Sequence, residues 1–189
     1  GKETQANHVA SWACVLAKYT NRPVKMRLFR DDDQKITGKR HPFIIKYKAG
    51  FSNEGILNSV EFEQNCDAGA AVDLTMAVLE RAMMHSDNSY WIPNIKIVGN
   101  AWKTNLPSNT AYRGFGGPQG VAGIEQVIDH IARKLGKDAS EIRFKNFYGM
   151  DDRNITPYFQ TVKNNRLYMI WEQIMQKSDY ENRRIAVNK

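Results

Sequence analysis

Residues 43–65 read Phe-Ile-Ile-Lys-Tyr-Lys-Ala-Gly-Phe, then Ser-Asn-Glu-Gly, then Ile-Leu-Asn-Ser-Val-Glu-Phe-Glu-Gln-Asn. Two strands, Phe43 to Phe51 and Ile56 to Asn65, flank a compact hairpin connection in which Gly55 is free to take positive φ. That reading makes the middle of the chain an antiparallel sheet and not a succession of strand–helix–strand units. Upstream, Val24, Met26 and Leu28 alternate with Lys25 and Arg27, which predicts another strand over Val24 to Phe29 with one buried face. Asp31, Asp32 and Asp33 then read as a turn. Before them, Val9, Trp12, Ala13, Leu16 and Ala17 recur at helical spacing, predicting a helix from Thr4 to Tyr19 that Asn21 and Pro23 end.

Downstream, helical spacing returns over Val72 to His85, and Asn94 to Trp102 reads as a short strand opened by Pro93. The clearest helix follows Pro118, where Val121, Ile124, Ile128, Ile131 and Leu135 form one apolar stripe that Gly136 stops. A shorter helix starts at Asp138, an N-cap with Glu141 at the third helical position. Asp151 to Asn154 is a surface turn, and Leu167 to Lys177 and Tyr180 to Val187 read as helices, the last polar enough to need a neighbour. No repeat or linker interrupts this order. The expected architecture is a single α+β segment over residues 1–189, helices packed on a mostly antiparallel sheet.

Composition narrows the function classes. With 189 residues, 42% hydrophobic and 25% charged, the chain is globular and is neither disordered, collagen-like nor a disulfide scaffold. No apolar run approaches the ~20 residues of a membrane-spanning helix. The formal charge of +7 suits an anionic substrate, an acidic partner or nucleic acid. The basic residues are scattered without interleaved aromatics, so nucleic-acid binding is not expected. Cys14 and Cys66 lack metal-type spacing, which predicts a reduced, cytoplasmic protein with both thiols as small buried hydrophobes. The chain begins at Gly1 and ends at Lys189 in a charged stretch, as a piece of something longer would.

The unusual stretch is Ala111-Tyr112-Arg113-Gly114-Phe115-Gly116-Gly117-Pro118-Gln119-Gly120. Its glycines open backbone conformations closed to other residues and allow close approach of a ligand. Pro118 suits the start of a helix, whose N–H groups favour anions, and Arg113 adds a fixed charge. Phe115 between glycines suggests stacking on a planar ligand. The loop lacks the Gly-Lys-Ser/Thr ending of a P-loop, and Gln119 stands where the dinucleotide fingerprint needs its third glycine. It reads either as an anion- or planar-ligand loop or as a glycine-rich helix start with a packed phenylalanine, and the residues alone leave both open. Glu3 reads singly as a capping charge, Arg81 as a snorkelling arginine, and His41 and His85 as structural.

Several strings together resemble one family. Gly1-Lys2-Glu3-Thr4, Ile36-Thr37-Gly38-Lys39-Arg40-His41-Pro42-Phe43, Glu80-Arg81-Ala82, and Lys103-Thr104-Asn105-Leu106-Pro107-Ser108-Asn109-Thr110 running into Tyr112–Gly120 are similar to the molybdopterin-binding part of the xanthine dehydrogenase/aldehyde oxidase family. Glu141-Ile142-Arg143, Lys145-Asn146-Phe147-Tyr148 and the stretch around Trp171 continue the likeness in order. The resemblance implies a segment of a xanthine dehydrogenase that hydroxylates hypoxanthine and xanthine towards urate. It assigns Glu3 and Arg81 to the two polar ends of the substrate, with a catalytic part in positioning charge that grows in the transition state. It assigns Phe115 to one face of the ring, and Arg113, Gly114, Gly116 and Gly117 to the cofactor pocket.

The implied cofactor is molybdenum–molybdopterin with no direct protein ligand to the metal from this chain. FAD and 2Fe–2S clusters lie on other parts. The implied partners are the rest of the molybdenum subunit and those FAD and iron–sulfur domains. The family's general base and second stacking phenylalanine fall beyond Lys189, so the chain alone is expected to be inactive. Apolar residues replace Glu3 and Arg81 in enzymes resembling aldehyde oxidases, so this pair points to purines. The alternatives are a segment of an aldehyde or N-heterocycle hydroxylase of the same superfamily, or a basic non-catalytic module for an anionic partner.

Overall fold

A computed structural model describes residues 5–187. In chain order the elements are α1 (Gln5–Thr20), α2 (Arg30–Ile36), β1 (Phe43–Phe51), β2 (Leu57–Gly69), α3 (Thr75–Met84), β3 (Ile95–Lys103), α4 (Gly117–Leu135), α5 (Ala139–Asn146), α6 (Leu167–Lys177) and α7 (Tyr180–Val187). The expected α+β architecture is present, with helices against a three-stranded sheet of order β1-β2-β3.

The hairpin forms as its sequence predicts. β1 and β2 run antiparallel with Tyr47 opposite Phe62 and Ile45 opposite Gln64, and the register slips once between Gly50 and Phe51. Gly55 closes the connection at φ +88°. The third strand differs from expectation: β3 lies parallel to β2, Phe62 beside Ile97. The sheet is therefore mixed, and β2–α3–β3 is a strand–helix–strand crossover. Parallel neighbours need a crossover of a dozen or more residues, usually helical, and the helix between the second and third strands was visible in the sequence.

Two further expectations are corrected. Residues 24–29 alternate in burial, yet join no ladder among the described residues. Alternation shows that one face is sheltered; a strand also needs a backbone partner, which sequence period does not supply. Asp31, Asp32 and Asp33 are not a turn but the first turn of α2, where carboxylates are stabilised by the helix dipole. Thr37 Oγ1 donates to Asp33 Oδ1 at 2.7 Å and holds that carboxyl below its usual range.

The core sits between the sheet and α4. Ile124, Val127, Ile128 and Ile131 share one buried cluster with Leu57, Val60 and Phe62, joined by Tyr90, Ile92, Ile142 and Phe147. Each such side chain contributes roughly 1.5–3 kcal/mol of burial, which makes the α4 stripe the main anchor of the fold. Gly136, at φ +63°, ends α4 as expected. Asp138 caps α5 by accepting from the Ser140 N–H at 2.8 Å. The α1 stripe is a different case, for none of its residues is buried and Trp12 is 38% exposed. Cys14, on the same helix, is exposed rather than buried, while Cys66 is fully enclosed. Among the described residues no helix is long and apolar enough to cross a membrane.

Candidate active site

Residues 104–116 carry the chain from β3 to α4, and their path is fixed by polar ties to β2 and to residues 37–41. Thr104 Oγ1 donates to Asp67 Oδ1 at 2.8 Å, and Asn109 donates from its side chain to the Asp67 carbonyl and from its backbone to that of Ala68. The Thr110 N–H donates to the Lys39 carbonyl at 3.0 Å. His41 is buried and shares a 2.8 Å hydrogen bond with Thr75 Oγ1 at the start of α3. Burial pushes its pKa down, against Asp73 and Asp67. It is a structural histidine, as expected.

The glycine-rich turn then follows. Gly114, Phe115 and Gly116 take φ of +93°, +50° and +96°, three left-handed residues in a row. For Phe115 that conformation costs on the order of 1–2 kcal/mol, so the surroundings impose it. The N–H groups of Phe115, Gly117, Gln119 and Gly120 donate to the carbonyls of Tyr112, Gly114 and, for the last two, Gly116. The helix start therefore spends these amides inside the turn instead of offering them to an anion. What it turns outward is side chains: Tyr112 and Arg113 are exposed and Phe115 is half-buried.

The glycines answer mainly to α3. A Cβ on Gly116 would lie 2.0 Å from the Val78 carbonyl oxygen, and one on Gly120 would lie 2.1 Å from that of Ala82. Only hydrogen fits at either place, so α4 presses directly on the backbone of α3. The reading as a glycine-rich helix start is thus correct for Gly116 and Gly120. The same contact sets the α3 turn from Val78 to Ala82, which carries Arg81, against the turn that carries Arg113 and Phe115. Arg81 itself is exposed, not embedded among its apolar neighbours. Its carbonyl accepts from His85 Nδ1 at 2.8 Å.

Of the residues expected from sequence, Arg81, Arg113, Gly114, Phe115, Gly116 and Gly117 are brought to one end of the α3–α4 pair. Glu3 lies outside the described residues. Arg40 and Gln119 received no role from sequence, yet both touch this region. Arg40 Nη2 donates to the Arg113 carbonyl at 2.7 Å, and its guanidinium lies 4.4 Å from the Tyr112 ring centre. Gln119 Nε2 donates to the His41 carbonyl at 3.2 Å. Arg40 Nη1 and Gln119 Oε1 are buried without a partner. A signal was present for Arg40, which stands between Lys39 and His41 in a string already singled out.

Arg40, Arg81 and Arg113 make no ion pair among the described residues. A hollow of about 430 Å³ elsewhere, over Lys48, Ser59, Glu61 and Lys96, shares no residue with the glycine-rich turn.

Residues 1–147 match the family described as the molybdopterin cofactor-binding domain. A xanthine dehydrogenase of Dictyostelium discoideum is 44% identical over 189 residues, all of this chain and 14% of that protein. One of Calliphora vicina is 47% identical over the same span and share. The chain thus spans about a seventh of the length of these relatives. Among solved structures, the aldehyde oxidoreductase of Desulfovibrio gigas superposes with a TM-score of 0.74 at 32% identity, covering 86% of this chain and 18% of that one. The chain belongs to the molybdopterin cofactor-binding domain family, in the xanthine dehydrogenase and aldehyde oxidase group.

Proposed function

We propose that this chain forms one wall of the active site of a xanthine dehydrogenase, an oxidoreductase that hydroxylates hypoxanthine and xanthine towards urate. The observation that carries the reading is the α3–α4 contact through Gly116 and Gly120, which sets the Arg81 turn beside the turn bearing Phe115 and Arg113. Identities of 44% and 47% to proteins named xanthine dehydrogenase support the choice of substrate.

In this reading the Phe115 ring stacks on one face of the purine. Glu3 and Arg81 hold its two polar ends, and both are catalytic through the transition state. The Arg81 guanidinium faces the carbonyl on which negative charge grows, where a preorganised donor is worth more than in the ground state. Arg113, with Gly114, Gly116 and Gly117, lines the cofactor. The residues present fit molybdenum–molybdopterin: Arg113 lacks an acid partner among the described residues, and Gln119 Oε1 is buried without a partner. When bound, that group supplies the oxygen and accepts the two electrons of the oxidation. The general base, the second stacking ring, and the FAD and 2Fe–2S domains come from the rest of the enzyme. Residues 1–189 alone turn nothing over, and they act as one segment in the cytoplasm.

Likeness to the aldehyde oxidoreductase of Desulfovibrio gigas favours a second reading, in which the same wall serves an aldehyde or another N-heterocycle. Arg81→Met in the whole enzyme separates the two. Xanthine turnover should fall by about 10²–10³, the scale of losing one transition-state donor, while turnover of an aromatic aldehyde stays nearly constant. Equal losses on both substrates would refute the role given to Arg81.

A further inference from the structure

Arg40 reaches the glycine-rich turn from a firmly held base. On one side, Lys39 Nζ donates to the carbonyls of Asp33 and Thr37 at 2.7 and 3.0 Å and to Thr37 Oγ1 at 2.6 Å. The Lys39 carbonyl accepts from the Thr110 N–H. Gly38 lies so close to residue 108 that a Cβ there would stand 2.2 Å from the Ser108 carbonyl oxygen. On the other side, the His41 ring is buried against Thr75 and its carbonyl accepts from Gln119. Residues 38–41 are therefore pinned to α2, α3, α4 and the 104–110 segment at once.

From this base the Arg40 guanidinium does two things across 73 positions of sequence. Nη2 donates to the Arg113 carbonyl, and Cζ sits over the Tyr112 ring, 4.4 Å from its centre. No carboxylate pairs with it among the described residues, and Nη1 has no partner. A guanidinium held by a carbonyl and a ring, without an acid, is bound for its shape and donor geometry. Immediately after these two contacts come the three left-handed residues, with Phe115 in the middle. The internal bonds of the turn, Phe115 N–H to Tyr112 and Gly117 N–H to Gly114, depend on where residues 112 and 113 sit.

We propose that Arg40 is a positioning residue that clamps Tyr112 and the Arg113 carbonyl and so fixes the Phe115 ring in its stacking place. The consequence for substrate rests on the reading of Phe115 given above; the clamp itself does not. Lysine retains the charge but lacks the forked, planar donor set that meets the carbonyl and the ring together.

The test uses the full-length enzyme carrying this segment, with Arg40→Met, Arg40→Lys, Tyr112→Leu and Tyr112→Phe. Amide hydrogen exchange over residues 112–117 reports local opening. It should quicken at least tenfold in Arg40→Met, at least threefold in Arg40→Lys and Tyr112→Leu, and not at all in Tyr112→Phe. Amides of β2 and of α4 beyond its first turn should keep their wild-type rates. In the same preparations, the KM for xanthine should rise at least fivefold in Arg40→Met with the pterin content per chain unchanged. Unchanged exchange at 112–117 in Arg40→Met overturns the proposal whatever substrate the enzyme turns over, and so does equal acceleration of the turn and the core. Full recovery by Arg40→Lys also overturns it, because charge alone would then suffice. If Arg40→Met does not accumulate as folded protein, Arg40→Lys and Tyr112→Leu decide by the same exchange criterion. A wild-type enzyme inert towards xanthine would refute the substrate reading and leave the exchange result to judge the clamp.

Discussion

Replacing Gly116 with alanine tests the contact on which the site is built. Gly116 sits at φ +96°, ψ −30°, a region where a residue with a Cβ costs of order 1–3 kcal/mol. The new methyl would also lie 2.0 Å from the Val78 carbonyl oxygen and 3.0 Å from the Ala82 nitrogen. Both are helical backbone atoms that cannot rotate aside, so α4 must retreat from α3 by roughly 1 Å or more. Forcing extra volume into a packed contact adds about 1–3 kcal/mol. The total is about 2–6 kcal/mol, and at about 2–4 °C per kcal/mol for a chain of this size the midpoint falls by roughly 4–24 °C. Gly136→Ala is the control, because Gly136 also has positive φ, at +63°, but nothing lies within 4 Å of its Cβ. It should cost only about 1–2 kcal/mol of backbone strain. Urea unfolding of this chain and both variants, followed by tryptophan fluorescence, gives the comparison. If Gly116→Ala lost no more than Gly136→Ala, direct contact between the two helices would not be what holds the turn.

Two further outcomes are expected. The Asp138 carboxyl pays a desolvation cost, but Ser140, Tyr180 and Arg184 donate to it and hold it well below its ordinary 3.8. A depressed folded-state pKa contributes stability above the unfolded value and loses it as pH falls towards the folded one. Asp138→Ala should therefore cost about 0.5–2 kcal/mol near neutrality as a lost N-cap, with the gap to wild type shrinking below pH 3.8; a gap independent of pH would refute this account. Burial, then the Asp67 charge, pushes the Cys66 thiol up to about 12, whereas Cys14 is exposed. A thiol reagent at pH 8 should modify one cysteine per native chain quickly and the second only on unfolding; two fast equivalents would contradict the enclosure of Cys66.

Local pattern made much of this protein legible from its sequence. The hairpin around Gly55, the α4 stripe with its Gly136 stop and the Asp138 cap each rest on neighbours a few residues apart, and each is found where spacing put it. The glycine-rich turn was conspicuous for the same reason, and so were Arg81, Arg113 and Phe115 once their strings were seen together. Relations across the chain were decided by tertiary structure. Alternation over residues 24–29 told which face is sheltered but not that the ladder partner is absent among the described residues. Asn94 to Trp102 reads as a strand opened by Pro93, but nothing in it tells that β3 runs parallel to β2.

The glycines show the limit most clearly. Gly114 and Gly116 look alike in sequence, yet the first answers to Pro118 within the turn and the second to the backbone of α3. Arg40 stands in a string that the sequence singles out, but its contacts are not legible there, because their partners lie more than 70 residues away. Sequence period records which side of an element avoids water, a property each residue carries with it. Which backbone lies against that side, in what direction and at what distance, is fixed only when the whole core closes.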